Sequence, residues 1–484
     1  MAATDPAGLV ETHSSVVFFV GERAYKLKKP IDLGFLDFRT PEARRAACHR
    51  EVELNRRLAP DVYLGVADVL DVDGSRCDHL VVMRRMPAAR RLSTLVTTGA
   101  DVSRHLGDVA HLVAAFHARA ERSPEADDAA AVTATRARWA TNTDEMRPLE
   151  AFGLDGAVLT RVQALADTYL DGRARVFEDR VAEGRAVDGH GDLLADDIFC
   201  LDDGPRVLDC LEFDDRLRLG DALADVAFLA MDLERLGRPD LGQQLLDHYL
   251  EHSGDAWPAS LAHHHIAYRA HVRAKVTAIR ARQGDEHANG EAASLLAIAL
   301  RHLEAGHVRL ILVGGLPGTG KSSLADALGH ALGATVLRSD EIRKERAGLP
   351  TRQAAPAPFG AGLYSAESTA ATYETLLEWA AVALARGETV LLDASWSSAD
   401  LRSRARAVAT GTRAALLELR CDAPVDVAAA RMARRATAEG DPSDATPAIA
   451  AQMTAHADPW PEATTIATAS DRASSLAAAL ARLG

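Results

Sequence analysis

The 484-residue chain is short of lysine, cysteine and positive charge, and each shortage narrows its possible roles. Lysine occurs only at Lys26, Lys28, Lys29, Lys275, Lys321 and Lys344, six of the 55 basic side chains, so arginine is the routine cation. A lysine here therefore marks a place where a compact ammonium is wanted. The five cysteines, Cys48, Cys77, Cys200, Cys210 and Cys421, include no C-x-x-C pair. That argues against a disulfide framework or a zinc site and fits a reducing cytoplasm. The 69 acids outnumber the bases, giving a formal net charge of −14. A binder of phosphate backbones shows a basic face, so nucleic acid is not an expected partner. There is no run of about 18 uninterrupted apolar residues, and the amino-terminal MAATDPAGLVETHSS has neither a basic start nor an apolar core. The expectation is a soluble cytoplasmic protein without membrane contact.

With 48% apolar and 26% charged residues, a chain of this length holds two or three buried cores. The acid surplus is local. Residues 1–300 carry 36 bases and 49 acids, net −13, whereas 301–484 carry 19 and 20, net −1. The first hundred residues read as a small sheet with one helix: VVFFVG, AYKLKK, the amphipathic run ARRAACHREVELNRRLA, then DHLVVMRRMP. Helical spacing dominates from about 105, interrupted by an acid-rich, turn-rich stretch between Asp188 and Asp225. The alanine patch ADDAAAVTATRA reads as solvated helix or loop. From Val308 the pattern becomes strand, glycine loop, helix, with further apolar runs at ATVLRS, TVLLDA and AALLELR. Such alternation predicts a parallel α/β sheet with crossover helices.

The most specific motif is Gly315-Leu316-Pro317-Gly318-Thr319-Gly320-Lys321-Ser322, a G-x4-G-K-[ST] phosphate loop between a strand and a helix. Gly315, Gly318, Thr319, Gly320 and Ser323 belong to the cradle. Lys321 bridges β- and γ-oxygens, Ser322 ligates Mg2+, and the helix amino end adds positive potential. The strand ending at Asp393 is followed by Ala394 rather than a water-polarising Glu, which favours transfer to a hydroxyl over hydrolysis. Asp393 is a metal candidate, and Asp340 in LRSDEIRKE is placed to accept a proton from an acceptor, unless it is only a helix cap. GLPGTGKSS, SDEIRK and AAARMARRATAEGDPSDA together resemble the small P-loop kinases of metabolites, antibiotics and polynucleotide ends, a group that includes gluconate kinase, chloramphenicol phosphotransferase and zeta toxins. The resemblance implies that Arg431, Arg434 and Arg435 belong to a lid.

A second cluster lies in the first half. His190-Gly191-Asp192 supplies an acid for the acceptor, Asp197 follows five residues on as a metal ligand, and Asp209, Glu212 or Asp214 supplies a second. Upstream, Lys26 in RAYKLKK sits like the strand lysine that holds α- and β-phosphates, and Glu51 like the helix glutamate that orients it. With Lys28 and Lys29 beside it, the whole lysine stretch has a solvated basic strand end as its alternative reading, but Lys26 alone shares the alternation position expected after Ala24-Tyr25. MRRMP at 83–87 is the hinge. These residues resemble the aminoglycoside phosphotransferase family over about 14–260, which implies a two-lobed kinase-like fold and phosphorylation of a small alcohol. Two features depart from the family: Asp197 replaces the usual Asn and adds a negative charge, and Ser14 and Ser15 stand where a glycine-rich lid is expected.

The whole resembles bacterial bifunctional aminoglycoside phosphotransferase/ATP-binding proteins, also on LDCLEFDDRLRLGDALADVAFLAMDLERLG and YRAHVRAKV. In the latter, Arg269, Arg273 and Lys275 lie near one helical face, suited to phosphate, an acidic partner or mere solvation. The domains expected are 1–300 (lobes 1–87 and 88–300) and 308–484. The expected activity is ATP- and Mg2+-dependent phosphorylation of a small-molecule hydroxyl acceptor, a sugar, amino-sugar or aminoglycoside-like compound. One competing reading makes the first domain a non-catalytic sensor for the second. Another is a zeta-toxin-like nucleotide-sugar kinase.

Overall fold

The apolar run Ser15–Val20 (β2) pairs antiparallel with Arg23–Lys28 (β3), and Gly8–Glu11 (β1) lies along its outer edge. Tyr63–Leu70 (β4) and Arg76–Arg84 (β5) complete an antiparallel sheet of order β1-β2-β3-β5-β4. Helix Pro41–Asn55 packs on it. Its start is set by Pro41 in the first turn and by Thr40, whose hydroxyl accepts from Ala43 N at 3.2 Å. Cys48, Glu51, Val52 and Asn55 recur at helical spacing and are buried. Val52, Val62, Val81 and Met83 form the core of this lobe. β4 was not legible in the sequence because Gly65 interrupts its alternation, at the point where the pairing register shifts.

The computed structural model describes residues 8–11, 14–32, 37–351, 353, 360–436 and 446–483. The chain divides into two compact units: 1–164, 177–257 and 262–304 form one, and 165–176, 258–261 and 305–484 the other. Beyond the small sheet the first unit is mainly helical. Two short antiparallel pairs cross it: Ala186–Asp188 (β6) with Leu219–Asp221 (β9), and Ile198–Leu201 (β7) with Gly204–Val207 (β8). The alanine patch is helical, in Pro124–Ala130 and Val132–Met146, with Asp128, Thr133 and Ala137 exposed and Ala126 and Ala130 buried in a cluster with Ala186.

The second unit is a five-stranded sheet of order β11-β12-β10-β13-β14, parallel throughout. Its strands are Arg309–Gly314 (β10), Thr335–Arg338 (β11), Val390–Asp393 (β12), Ala415–Asp422 (β13) and Thr464–Ala467 (β14). Leu310 and Leu312 enter one apolar core while Ile311 and Val313 enter the other, so helices cover both faces. Each such aliphatic side chain contributes roughly 1.5–3 kcal/mol on burial. Among the described residues no helix is long and apolar enough to cross a membrane.

Candidate functional site

Side chains alternate along a strand, so Ala24, Lys26 and Lys28 of β3 share the face turned toward helix Pro41–Asn55. Lys26 Nζ lies 3.0 Å from Glu51 Oε1 and 2.5 Å from Asp209 Oδ1. Lys28 Nζ lies 2.6 Å from Glu51 Oε2 and also pairs with Glu212. Five charges thus alternate in sign: Asp209, Lys26, Glu51, Lys28, Glu212, with Glu51 and Lys28 wholly shielded and Asp209 at the solvent-exposed end. Burial opposes charge on both lysines, yet Asp209 and Glu51 raise Lys26, and Glu51 and Glu212 raise Lys28. Burial likewise penalises Glu51 and Asp209, but the lysines outweigh it and hold both low. The solvated reading of Lys28 is therefore wrong: it is 1% exposed, on the same face as Lys26. A period of two was enough to find it.

Asp209 follows β8 with φ +61, a left-handed conformation uncommon for a non-glycine. Tyr63 OH accepts from its backbone N at 3.1 Å, and Asn55 Oδ1 accepts from Cys210 N at 2.8 Å. The turn is thereby clamped from β4 and from the helix. Glu212 is engaged with Lys28, and Asp214 caps the turn Asp215–Leu217 and binds Arg216. Of the charges acting on Asp197, that of Asp209 is the largest, followed by that of Asp192.

His190-Gly191-Asp192 lies between β6 and β7, anchored by a residue the sequence did not single out. Asp225, in the first turn of helix Ala222–Arg235, accepts from His190 N at 2.6 Å and Gly191 N at 2.9 Å. His117 Nε2 donates to it at 3.2 Å, and Tyr249 OH donates to His117 Nδ1 at 2.8 Å. Burial works against the Asp225 charge, but these hydrogen bonds and neighbouring cations hold its pKa well below the usual range. A Cβ on Gly189 would stand 2.3 Å from Asp225 Oδ2, so the approach requires glycine. The only hint in the sequence was DALADV, an acid at a helix start within the acidic stretch.

Asp192 is half-buried, and burial lifts its pKa to about 6 against the pull of Arg273. Burial, Asp209 and Asp192 all push the Asp197 carboxyl well above its ordinary value, and Lys26 opposes them. Among the described residues no three His, Cys, Asp or Glu side chains are grouped to hold a metal ion. Asp197 and Asp209 are two carboxylates, the donor set of a Mg2+ site that draws its other oxygens from phosphate and water.

In the second unit Gly315, Gly318 and Gly320 have φ of +133°, +82° and +87°, and helix Lys321–Leu332 begins directly after them. Cβ atoms on the first two would lie 2.6 Å from Cys421 O and 2.5 Å from Ala428 O. The backbone is pressed into a cradle that only glycine can form. Lys321 Nζ donates to Leu316 O at 3.1 Å, and the Thr319 hydroxyl to the same oxygen at 2.8 Å. Ser322 and Ser323 are exposed in the first helical turn, and Ser322 lies near enough to Asp393 to lower its pKa. Burial raises Asp393, while Lys321 and Ser322 lower it. The glycine cradle and the hydroxyl–carboxylate pair fit nucleotide phosphates with Mg2+.

Asp340 lies inside the first turn of helix Ser339–Arg346 rather than at its cap, and accepts from Arg343 Nη1 at 2.6 Å. Arg338, not anticipated from the sequence, stands 3.7 Å from Asp393 Oδ2. Arg431 Nη2 donates to Thr468 O at 2.6 Å and its Nη1 reaches Gly318 O at 3.5 Å, so it braces the loop. Arg434 is exposed, and the side chain of Arg435 lies outside the described residues.

Residues 12–263 match the model of the phosphotransferase enzyme family, and residues 310–460 that of an AAA domain of the P-loop kinase-like kind. Uncharacterized proteins of Mycobacterium tuberculosis and Mycobacterium bovis are 45% identical over 462 residues, 96% of this chain and 92% of theirs. Among solved structures, a choline kinase from Cryptosporidium parvum aligns at 10% identity and TM-score 0.41, over 62% of this chain and 90% of that one. A gluconokinase from Sinorhizobium meliloti aligns at 19% identity and TM-score 0.27, over 36% of this chain and 91% of that one.

Proposed function

The chain belongs to the phosphotransferase enzyme family, and from that premise we propose that it transfers the γ-phosphoryl group of ATP to a hydroxyl of a small molecule. The observation that carries this reading is the meeting of Lys26, Glu51 and Asp209, with Lys26 Nζ within 3.0 Å of the first carboxylate and 2.5 Å of the second. No structural need of a surface sheet calls for a lysine from a strand, a glutamate from a helix and an aspartate some 180 positions on.

In the first unit Lys26 binds the α- and β-phosphates, and Glu51 keeps its ammonium charged and aimed. Asp197 and Asp209 are the residues that would hold Mg2+, which neutralises phosphate charge when bound. Asp192, with a pKa of about 6, is charged at neutral pH yet basic enough to take the proton of the attacking hydroxyl. The acceptor oxygen bonds to the γ-phosphorus as the bond to the β–γ bridging oxygen breaks, and ADP leaves with that electron pair. Asp225 holds the two backbone amides that precede Asp192, so the loop is positioned before the acceptor arrives. In the second unit Lys321, the cradle amides, Ser322 and Asp393 form a second nucleotide site, and Asp340 is the group positioned for an acceptor.

A phosphate-transfer screen over sugars, amino-sugars, aminoglycosides and other small alcohols, run on the wild type, Asp192→Ala and Lys321→Ala, tests the proposal and assigns the active unit. Loss of transfer in Asp192→Ala alone locates the chemistry in the first unit. A wild type that phosphorylates nothing across the panel would overturn the reading.

A further inference from the structure

Helix Ala259–Arg282 sets two arginines beside the loop that carries Asp192. Arg269 is committed to structure: its Nε donates to Ala224 O at 3.2 Å, its Nη1 to Gly191 O at 3.3 Å, and its guanidinium lies 4.7 Å over the Phe228 ring. Arg273 stands four residues on, hence one turn along the same face. Its Nε is buried, and among the described residues it has no hydrogen-bond partner there. Lys275, by contrast, is paired with Glu145 at 2.5 Å and so is separated from the two arginines it was grouped with in the sequence.

The charges around Asp192 show what Arg273 is free to do. Asp209 is bound by Lys26, and Asp232 accepts from Ala195 N at 2.9 Å and Arg235 Nε at 2.7 Å. Arg273 is the strongest charged influence on Asp192, yet no hydrogen bond joins them. Arg269 touches the backbone of Gly191, next to Asp192, and Arg273 one turn further along the helix keeps a buried Nε without a partner. A buried donor without a partner is costly, and a ligand that supplies the partner is the usual reason one persists.

We infer that the alcohol phosphorylated by the first unit carries an anionic group, a carboxylate or a phosphate, which Arg273 binds while Asp192 takes the hydroxyl proton. The planar guanidinium fork matches both anions. A cationic amino-sugar would bring its ammonium against Arg273 and Arg269 instead. The acid surplus of residues 1–300 does not decide the matter, because Asp209 and Asp232 beside Asp192 are already paired. This inference rests on the phosphotransferase reading of the first unit.

The test uses the full chain carrying Lys321→Ala, which silences the second unit, with γ-labelled ATP, Mg2+ and a charcoal-treated small-molecule extract separated by charge at neutral pH. Labelled product is expected only from the anion-exchange-retained fraction. Loss of labelled product when the retained fraction is treated with phosphatase, and the phosphatase removed, before the transfer reaction identifies the anion as phosphate, and its persistence identifies a carboxylate. Adding Arg273→Gln should raise the KM of that acceptor about 10–100-fold with little change in the KM of ATP, and Arg273→Lys should recover part of the loss. Transfer from the unretained or cation-retained fraction, or an acceptor KM indifferent to both substitutions, would overturn the inference. Transfer from no fraction, or transfer that persists in Asp192→Asn, counts instead against the phosphotransferase reading of this unit.

Discussion

Lys28 Nζ lies 2.6 Å from Glu51 Oε2, and both side chains are wholly shielded from solvent. Glu51 is thereby shared between two lysines, one of which faces Asp209 and the other Glu212. When phosphates compete for Lys26, Lys28 still holds the glutamate in place and ionised. The second lysine makes the orientation of the first independent of what the first is binding.

That arrangement predicts a large cost for removing Lys28. In Lys28→Met, Glu51 and Glu212 each lose a buried cation, and breaking such a network from one side costs about 3–5 kcal/mol. Urea unfolding of the full chain should show the midpoint of the first unit falling accordingly. Lys28→Met combined with Glu212→Gln should recover a good part of the loss, because one orphaned charge is gone. A midpoint that does not move in the single variant would refute the network's structural role.

The second prediction concerns pH. Burial lifts Asp192 to about 6, and its ionised form is the one that accepts a proton. The value of kcat/KM should therefore rise with pH through about 6 and level off above it. The stability sign is opposite. The folded-state pKa exceeds the unfolded value of about 3.9, so the native state binds more protons between those values and loses stability as pH rises across them. Asp192→Asn removes that loss. It should abolish transfer while raising Tm at pH 7 by about 2–4 °C, measured calorimetrically.

Much of this was legible in the sequence, and what was not has physical reasons. The phosphate loop could be read because its glycines are demanded by backbone geometry that no other residue satisfies, at Gly315 and Gly318 above all. Lys26, Glu51, Asp192 and Asp209 could be read because the chemistry fixes residue type and rough order. Asp225 and His117 could not. They act on the backbone of the loop rather than on substrate, and a buried acid that accepts amide hydrogens has no characteristic neighbours in sequence. Strand β4 was hidden by Gly65, and the different partners of Asp209, Glu212 and Asp214, respectively Lys26, Lys28 and Arg216, have no signature in the sequence.

Asp225 supports a third prediction. Asp225→Ala frees the amides of His190 and Gly191, and a displacement of the loop by about 1 Å is enough to lower kcat on the order of 100-fold. Affinity for an ATP analogue should change little, because the phosphate-binding Lys26 lies on the other lobe. The depressed pKa of this carboxylate also gives its stabilisation a direction: present above about pH 4 and lost as pH falls further. Acid unfolding followed by circular dichroism should show a steeper loss below pH 4 in the wild type than in Asp225→Asn. Equal kcat in the two proteins would remove the positioning role.

The fourth prediction separates the two nucleotide sites. Each unit holds one of the six lysines of the chain at a position proposed to bind phosphate, Lys26 beside Glu51 and Lys321 after the glycine cradle. A hydrogen bond from a charged donor is worth about 1.5–3 kcal/mol, so losing either ammonium should weaken its own site about 10–100-fold. Titration calorimetry with a non-hydrolysable ATP analogue and Mg2+ should give two equivalents for the wild type, one for Lys26→Met, one for Lys321→Ala and none for the double variant. Gly318→Ala should behave like Lys321→Ala for a different reason, since its Cβ would stand 2.5 Å from Ala428 O and force the cradle open. A wild type that binds one equivalent, abolished by Lys321→Ala and untouched by Lys26→Met, would mean that the first unit keeps the kinase-like network without binding nucleotide, and its buried charges would then serve the fold alone.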